Sequence, residues 1–333
     1  MTTATRTFEW LPVTTLASGG ELRLPLHALR GAQPGPTLGL SALVHGNEPV
    51  PSIGIIRAVL ERLDPSQLRG TVLAVPVLNP LGAAAMSRHT PEDGLNLNGA
   101  FVESDAGGHP EPVKTISVRL AAAIAEGFLG RLNYQIDFHT GGPATVHMIE
   151  FADDPESRAM ARAFNMPILL RDVWMPGQMW TAAERLGVKT IVAELGGAGQ
   201  LYHQWVERGV AGTLNVMRQI GMLPGEVAPP PRQYVVNNLP GHEENLNILR
   251  PREAGLIVPE PAITPQVAFD GQPIQGAQIL GRLISPYDLT TRQEFATPFE
   301  RTLMLATRVA PSWCAPGEFG YIITDADRAE VLD

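Results

Sequence analysis

Three short segments carry side chains that can do chemistry: His45-Gly46-Asn47-Glu48, Asp137-Phe138-His139-Thr140 and Ala193-Glu194-Leu195-Gly196-Gly197. The first offers an imidazole and a carboxylate three residues apart. The second offers another imidazole after an apolar run, and the third a lone carboxylate closing Thr190-Ile191-Val192-Ala193. Two His and one Glu are the donor set of a catalytic zinc site, which leaves a position open for water. A further carboxylate is then needed to take a proton from that water. The chemistry implied is metal-assisted hydrolysis.

Each piece also has an ordinary structural reading. A His-x-x-Glu pair occurs often by chance, and His139 reads equally as a satisfied histidine at a strand end. Asp137 shares a strand face with His139 without necessarily touching it. Glu194 is harder to set aside, because a carboxylate ending a buried run is costly unless paired or near a metal. Gly46 permits unusual dihedrals beside His45. The turn-rich stretch from Arg88 through Asn96-Leu97-Asn98 reads as a surface loop or as a substrate loop. In the second reading Arg88 polarises a scissile carbonyl and Asn98 hydrogen-bonds the substrate.

The elements that must position these groups alternate. Apolar runs at 37–44, 71–78, 133–138 and 190–195 read as buried strands, and 7–30 as short strands. Helical spacing recurs over 52–63, 113–128, 157–164 and 200–220. This order predicts an α/β domain with a mixed, mostly parallel sheet, whose ligands gather beyond the strand ends. The Pro-rich stretch 224–231 predicts a stiff linker. The expected organisation is an α/β domain over 1–228 and a small all-β domain over 229–333.

Composition narrows the class. With 44% hydrophobic and 18% charged residues, the 333-residue chain suits a folded protein with a sizeable core. A net charge of −9 without a basic stripe argues against nucleic-acid binding. Cys314 is the one cysteine, which excludes an intrachain disulfide and fits a reducing compartment. No apolar run reaches the roughly 18 residues of a membrane span. The N-terminus lacks a signal peptide's apolar stretch, so a cytoplasmic enzyme is expected.

Taken together and in this order, His45-Gly46-Asn47-Glu48, Asn96-Leu97-Asn98, Asp137-Phe138-His139-Thr140 and Val192-Ala193-Glu194-Leu195-Gly196-Gly197 resemble the succinylglutamate desuccinylase/aspartoacylase family, relatives of the zinc carboxypeptidases. The resemblance implies a zinc carboxypeptidase-like domain with one zinc per chain on His45, Glu48 and His139. It makes Glu194 the general base and later acid, and Arg88 the group that assists the carbonyl. It departs from the family at Gly99, where an arginine usually clamps a substrate carboxylate, and at Asn96, where an Asp is usual. Asp93 is the candidate replacement for that Asp; Asn96 and Asn98 are candidate substrate contacts. Arg171 and Arg185 are the candidates to bind a carboxylate from another direction. The implied function is deacylation of a small N-acyl amine or N-acyl amino acid derivative. A zinc carboxypeptidase or peptide amidase is the alternative, and a non-catalytic binding protein on the same fold the third reading. The sequence leaves open whether the chain forms a homo-oligomer.

Overall fold

The computed structural model describes residues 4–101, 114–172, 175–228 and 232–333. Its centre is built from β3 (Gln33–Ala42), β4 (Arg69–Val75), β5 (Tyr134–His139) and β8 (Lys189–Gly196), which pair in parallel in the order β4-β3-β5-β8. The N-terminal residues form one long hairpin, β1 (Thr5–Thr15) and β2 (Glu21–Arg30), added antiparallel at the β4 edge. On the other side β6 (Thr145–Ala152) runs antiparallel to β8, and β7 (Ile168–Asp172) and β9 (Gln233–Asn237) follow in parallel.

The sheet is therefore mixed, but less parallel than the sequence suggests. Strands Arg301–Thr307, Tyr321–Asp325 and Asn247–Leu249 continue it beyond β6, all antiparallel, and with the short strands Ile274–Gln275 and Glu330–Leu332 the sheet holds 14 strands among the described residues. The region after residue 232 thus hydrogen-bonds into the main sheet. It adds a separate four-stranded antiparallel sheet from Gly255–Pro259, Ile279–Ile284, Thr291–Ala296 and Ser312–Cys314. It also contains a helix, Pro265–Asp270, and so is not purely β. Part of the expected Pro-rich linker, Pro229–Pro231, lies outside the described residues.

Alternation along the central strands decides which groups face which way. Leu38, Leu40 and Ala42 of β3, Ile136 and Phe138 of β5, and Ile191, Ala193 and Leu195 of β8 point to one face. There they pack against α1 (Ser52–Arg62), α4 (Pro155–Phe164) and α6 (Tyr202–Gln219) through Ile55, Val59, Phe164, Trp205 and Val216. The intervening residues face the other layer, formed by α3 (Ile116–Gly127), α5 (Met179–Arg185) and the hairpin. The front row includes Ser41, Gln135, Asp137, His139, Thr190 and Glu194, a polar column within an otherwise apolar sheet.

His147 on β6 faces away from Glu194 and is 1% exposed. Burial, reinforced by the charge of Arg208 and opposed by the backbone of Met304, depresses its pKa to about 3. The unfolded chain then binds a proton that the fold excludes between about pH 6.5 and 3, so stability falls as pH drops through that window. Relative to His147→Gln, the parent protein should lose about 2 kcal/mol between pH 7 and pH 5. Urea midpoints of both proteins at both pH values measure this; parallel shifts would contradict it.

Candidate metal and hydrolytic centre

The centre lies where β3 and β5 end. Beyond β3 the chain passes Leu43 at φ 56° and makes a turn in which the Glu48 amide donates to the His45 carbonyl (3.3 Å). His45 and Glu48 are brought together by this turn, with α1 starting only at Ser52. Gly46 is required here by close approach. A Cβ on it would lie 1.9 Å from the Gly82 carbonyl carbon in α2 (Pro80–Ala84). Its φ is not left-handed, so contact between backbones, rather than unusual dihedrals, explains the glycine.

His139 is the last residue of β5 rather than the residue after it. The side chains of His45, Glu48 and His139 converge, all buried, with potential ligand atoms within 4.8 Å of one another. His45 Nδ1 lies 3.0 Å from Glu48 Oε1, and His139 Nδ1 lies 3.0 Å from Glu48 Oε2. Glu48 Oε1 also accepts from Arg88 (2.8 Å) and Oε2 from the Thr140 amide (3.4 Å). Burial works against the charge of Glu48, but His139 and then His45 hold its pKa well below the usual carboxylate range. The His45 pKa is lowered as well, because its burial outweighs the pull of Glu48, and this favours the neutral ring.

This donor set fits a divalent ion. Nε2 of His45 is buried without a hydrogen-bond partner among the described residues, while Nδ1 faces Glu48 Oε1 at 3.0 Å. An unsatisfied nitrogen costs stability and calls for a partner. Two histidines and one glutamate with ligand atoms this close together are a donor set that catalytic zinc sites use.

Asp137 orients the second imidazole. Its carboxylate is fully buried, with Oδ2 2.9 Å from His139 Nε2 and accepting from Trp180 Nε1 (3.0 Å), while Oδ1 accepts from Ser41 Oγ (2.7 Å). Gln135 donates to Ser41 Oγ (3.0 Å) and accepts from Thr190 Oγ1 (3.3 Å). Burial disfavours charge on His139, yet Asp137 and Glu48 raise its pKa well above the ordinary histidine value. With Nε2 committed to Asp137, Nδ1 is left for the cluster. The contact that the sequence leaves open is therefore made. Asp93, the other candidate for this role, instead accepts from the Ser117 amide (2.8 Å) and hydroxyl (2.9 Å) and ties the loop to α3.

Glu194 sits beside His139 in register on β8 and opposite Met148 on β6. It keeps a partial opening to solvent, but burial pushes its pKa up to about 7. His139 and Arg88 pull it down, and Glu48 and Asp137 push it further up. The guanidinium of Arg88 remains half exposed while it holds Glu48.

The remaining candidates sit elsewhere. Asn98 is buried, and its Oδ1 accepts from the Met179 amide (3.0 Å) at the start of α5, the helix that carries Trp180. Asn96 accepts from the Asn98 amide and caps the turn Leu97–Gly99. Arg171 alternates with Asp172 on β7 and points to the back face, where Asp153 holds its guanidinium. That placement removes it as a carboxylate clamp. Arg185 is exposed in the last turn of α5 and is not part of the cluster. Trp180, Ser41 and Gln135 were not singled out by sequence. The period-two polar run Gln135, Asp137, His139 was the signal available.

Comparison with known proteins places the chain in a family and a fold. The N-alpha-acetyl-L-2,4-diaminobutyric acid deacetylase of Halomonas elongata is 26% identical over 332 residues, spanning 96% of this chain and 90% of its own. A succinylglutamate desuccinylase/aspartoacylase crystal structure from Rhodobacter sphaeroides superposes with a TM-score of 0.76 at 20% identity, over 96% of this chain and 95% of that one. The product-bound ectoine utilization protein EutE (DoeB) from Ruegeria pomeroyi gives 0.75 at 22% identity, over 97% and 95%. These two share the fold. The family profile described as the succinylglutamate desuccinylase/aspartoacylase catalytic domain matches residues 34–220, and the chain belongs to that family.

Proposed function

We propose that this protein is a zinc-dependent deacylase that hydrolyses the amide bond of a small N-acyl amine or N-acyl amino acid derivative. The observation that carries the reading is the buried His45-Glu48-His139 cluster flanked by Glu194 and Arg88. Held by those three residues, zinc would lower the pKa of a water toward roughly 7 and polarise a carbonyl. The chain's own groups supply the rest. Glu194 takes a proton from the attacking water; a carboxyl titrating at about 7 is suited to accept and later donate near neutral pH. Arg88 donates to the oxygen of the scissile carbonyl as negative charge develops on it. Glu194 then returns the proton to the departing amine. Asp137 and Trp180 keep the His139 ring in one orientation throughout.

The Halomonas elongata relative is named for removing an N-acetyl group from a diamino acid, which supports a small N-acyl substrate. The carboxypeptidase alternative needs an arginine for a terminal carboxylate. Gly99 stands at the family's usual position for it, and Arg171 is tied to Asp153 on the far face.

Amine release from a panel of N-acyl compounds by the zinc-loaded protein tests the activity directly. Glu194→Ala should retain one zinc per chain and lose turnover by at least about 100-fold, the usual scale for a general base. Near-parental rates would remove Glu194 from that role. His139→Ala should lose stoichiometric zinc, and retained metal would refute its place in the ligand set. Asp137→Asn should weaken zinc binding by about 10- to 100-fold, measured by competition with a chromogenic chelator. Unchanged affinity would reduce Asp137 to a packing role.

A further inference from the structure

The N-terminal hairpin leaves one edge of the main sheet open. Among the described residues β1 pairs with β2 alone, so the other side of its backbone has no strand partner. At 11 residues β1 is well above the usual strand length of roughly 5–6, and it carries no Lys. Proteins normally blunt such an edge with short strands, lysines or bulges. The irregularity in β1 lies between Pro12 and Thr14, so Thr5 to Leu11 is a regular strand. Two aromatic side chains stand out from it: Phe8 is 50% and Trp10 49% exposed, with ring centroids 5.1 Å apart, edge to face. His27 packs on Phe8 at 4.9 Å and the Arg23 guanidinium lies over Trp10 at 5.1 Å, which extends this face onto β2. Arg6 shares the face and donates to the Leu63 carbonyl (2.9 Å) just past α1.

The prolines of the hairpin fix which backbone groups point outward. In an antiparallel pair, positions that exchange hydrogen bonds with the partner strand alternate with positions whose N–H and C=O point away from it. Pro12 lies opposite Arg23, and Pro25 opposite Trp10. Neither proline has an N–H to exchange, so both pairs are of the second kind. The register runs without a shift from Thr5 to Pro12, and by alternation Phe8 and Arg6 are of the same kind. The N–H and C=O of Arg6, Phe8 and Trp10 therefore face the open edge, on the same residues that form the exposed aromatic face.

We propose that a second copy of this chain pairs with β1 along this edge, antiparallel across a twofold axis centred on Phe8, so that the two main sheets become one. A twofold axis normal to the sheet sets residues of like parity opposite each other. The sequence of β1 then selects the register. Centred on Glu9, two carboxylates would oppose each other, which is destabilising. Centred on Trp10, Pro12 would oppose Phe8 and leave its carbonyl without a donor. Centred on Thr7, Trp10 would reach past the start of the partner strand. Centred on Phe8, ring meets ring, Arg6 of each copy opposes Trp10 of the other, and the Thr7 hydroxyl opposes the Glu9 carboxylate. The guanidinium–indole and hydroxyl–carboxylate pairs are complementary and occur twice each. The opposed residues Arg6, Phe8 and Trp10 are also the ones whose backbone groups face outward, so each pair exchanges hydrogen bonds. Strands β2 and β4 separate this edge from β3 and the His45 turn, so the inference does not depend on the deacylase reading.

Sedimentation equilibrium of the unmodified chain should show a dimer. Phe8→Pro removes an outward N–H and a ring at a position that, like Pro12, gives no hydrogen bond to β2. It should weaken association at least about tenfold while the far-UV circular dichroism stays unchanged. Phe8→Lys should do the same by placing like charges at the axis, and mixing it with Phe8→Glu should restore a heterodimer. Phe8→Cys should form an intermolecular disulfide on mild oxidation, since the Cα atoms of such a pair lie roughly 5.5 Å apart and the native Cys314 is buried. Trp10→Cys should not, because its two copies would lie roughly 13 Å apart along the strands. A monomeric parent protein, a dimer that survives both Phe8→Pro and Phe8→Lys, or a disulfide through Trp10→Cys in place of Phe8→Cys overturns the proposal.

Discussion

Glu48 is 4% exposed and carries a full negative charge, and the rest of the centre is arranged to answer it. An isolated carboxylate could not stay ionised in such a place. Two imidazoles face its two oxygens, a guanidinium adds a third contact, and a backbone amide a fourth. The arrangement gathers ligands of the kind that bind a divalent ion, and it leaves His45 Nε2 without a partner among the described residues. An ion held by His45, Glu48 and His139 would share the Glu48 charge and give the buried imidazole nitrogen a partner. The turn at 45–48, the glycine that lets α2 approach it and the end of β5 all serve that one convergence.

Strand parity does the remaining work. In β5 the even-numbered residues Ile136 and Phe138 are committed to the back core, which drives Gln135, Asp137 and His139 to the front. The sheet cannot slip in register without exposing that core, so the polar column is held as firmly as the apolar one. Ser41 from β3, Thr190 from β8 and Trp180 from α5 then complete the hydrogen bonds of the column. The Asp137–His139 pair gains its rigidity from this network, because each member leaves the next one orientation. Asn98 contributes from further out, by holding the first turn of the helix that carries Trp180.

Much of this was legible beforehand because it is local. The apolar runs that end near His45, His139 and Glu194 are strands, and the residue types at their ends are chemical. What escaped depends on contacts between distant segments. β6 and β7 were not predicted, since His147 and Glu150 interrupt the apolar pattern of β6, and only pairing with β8 makes it a strand. For the same reason the C-terminal region read as separate, although Ala306 and Thr307 pair with Val146 and Thr145 across the main sheet. Arg171 looked available as a clamp because a sequence does not show which face of the sheet it occupies; its parity with Phe151 puts it on the back.

The central claim is that His45, Glu48 and His139 together hold one zinc ion. X-ray absorption at the zinc edge, on protein loaded to one equivalent, addresses it most directly. The account predicts two imidazole nitrogens with carboxylate and water oxygens, all at about 2.0–2.2 Å. A spectrum without imidazole scattering, or a protein that fails to retain one zinc per chain, would contradict it.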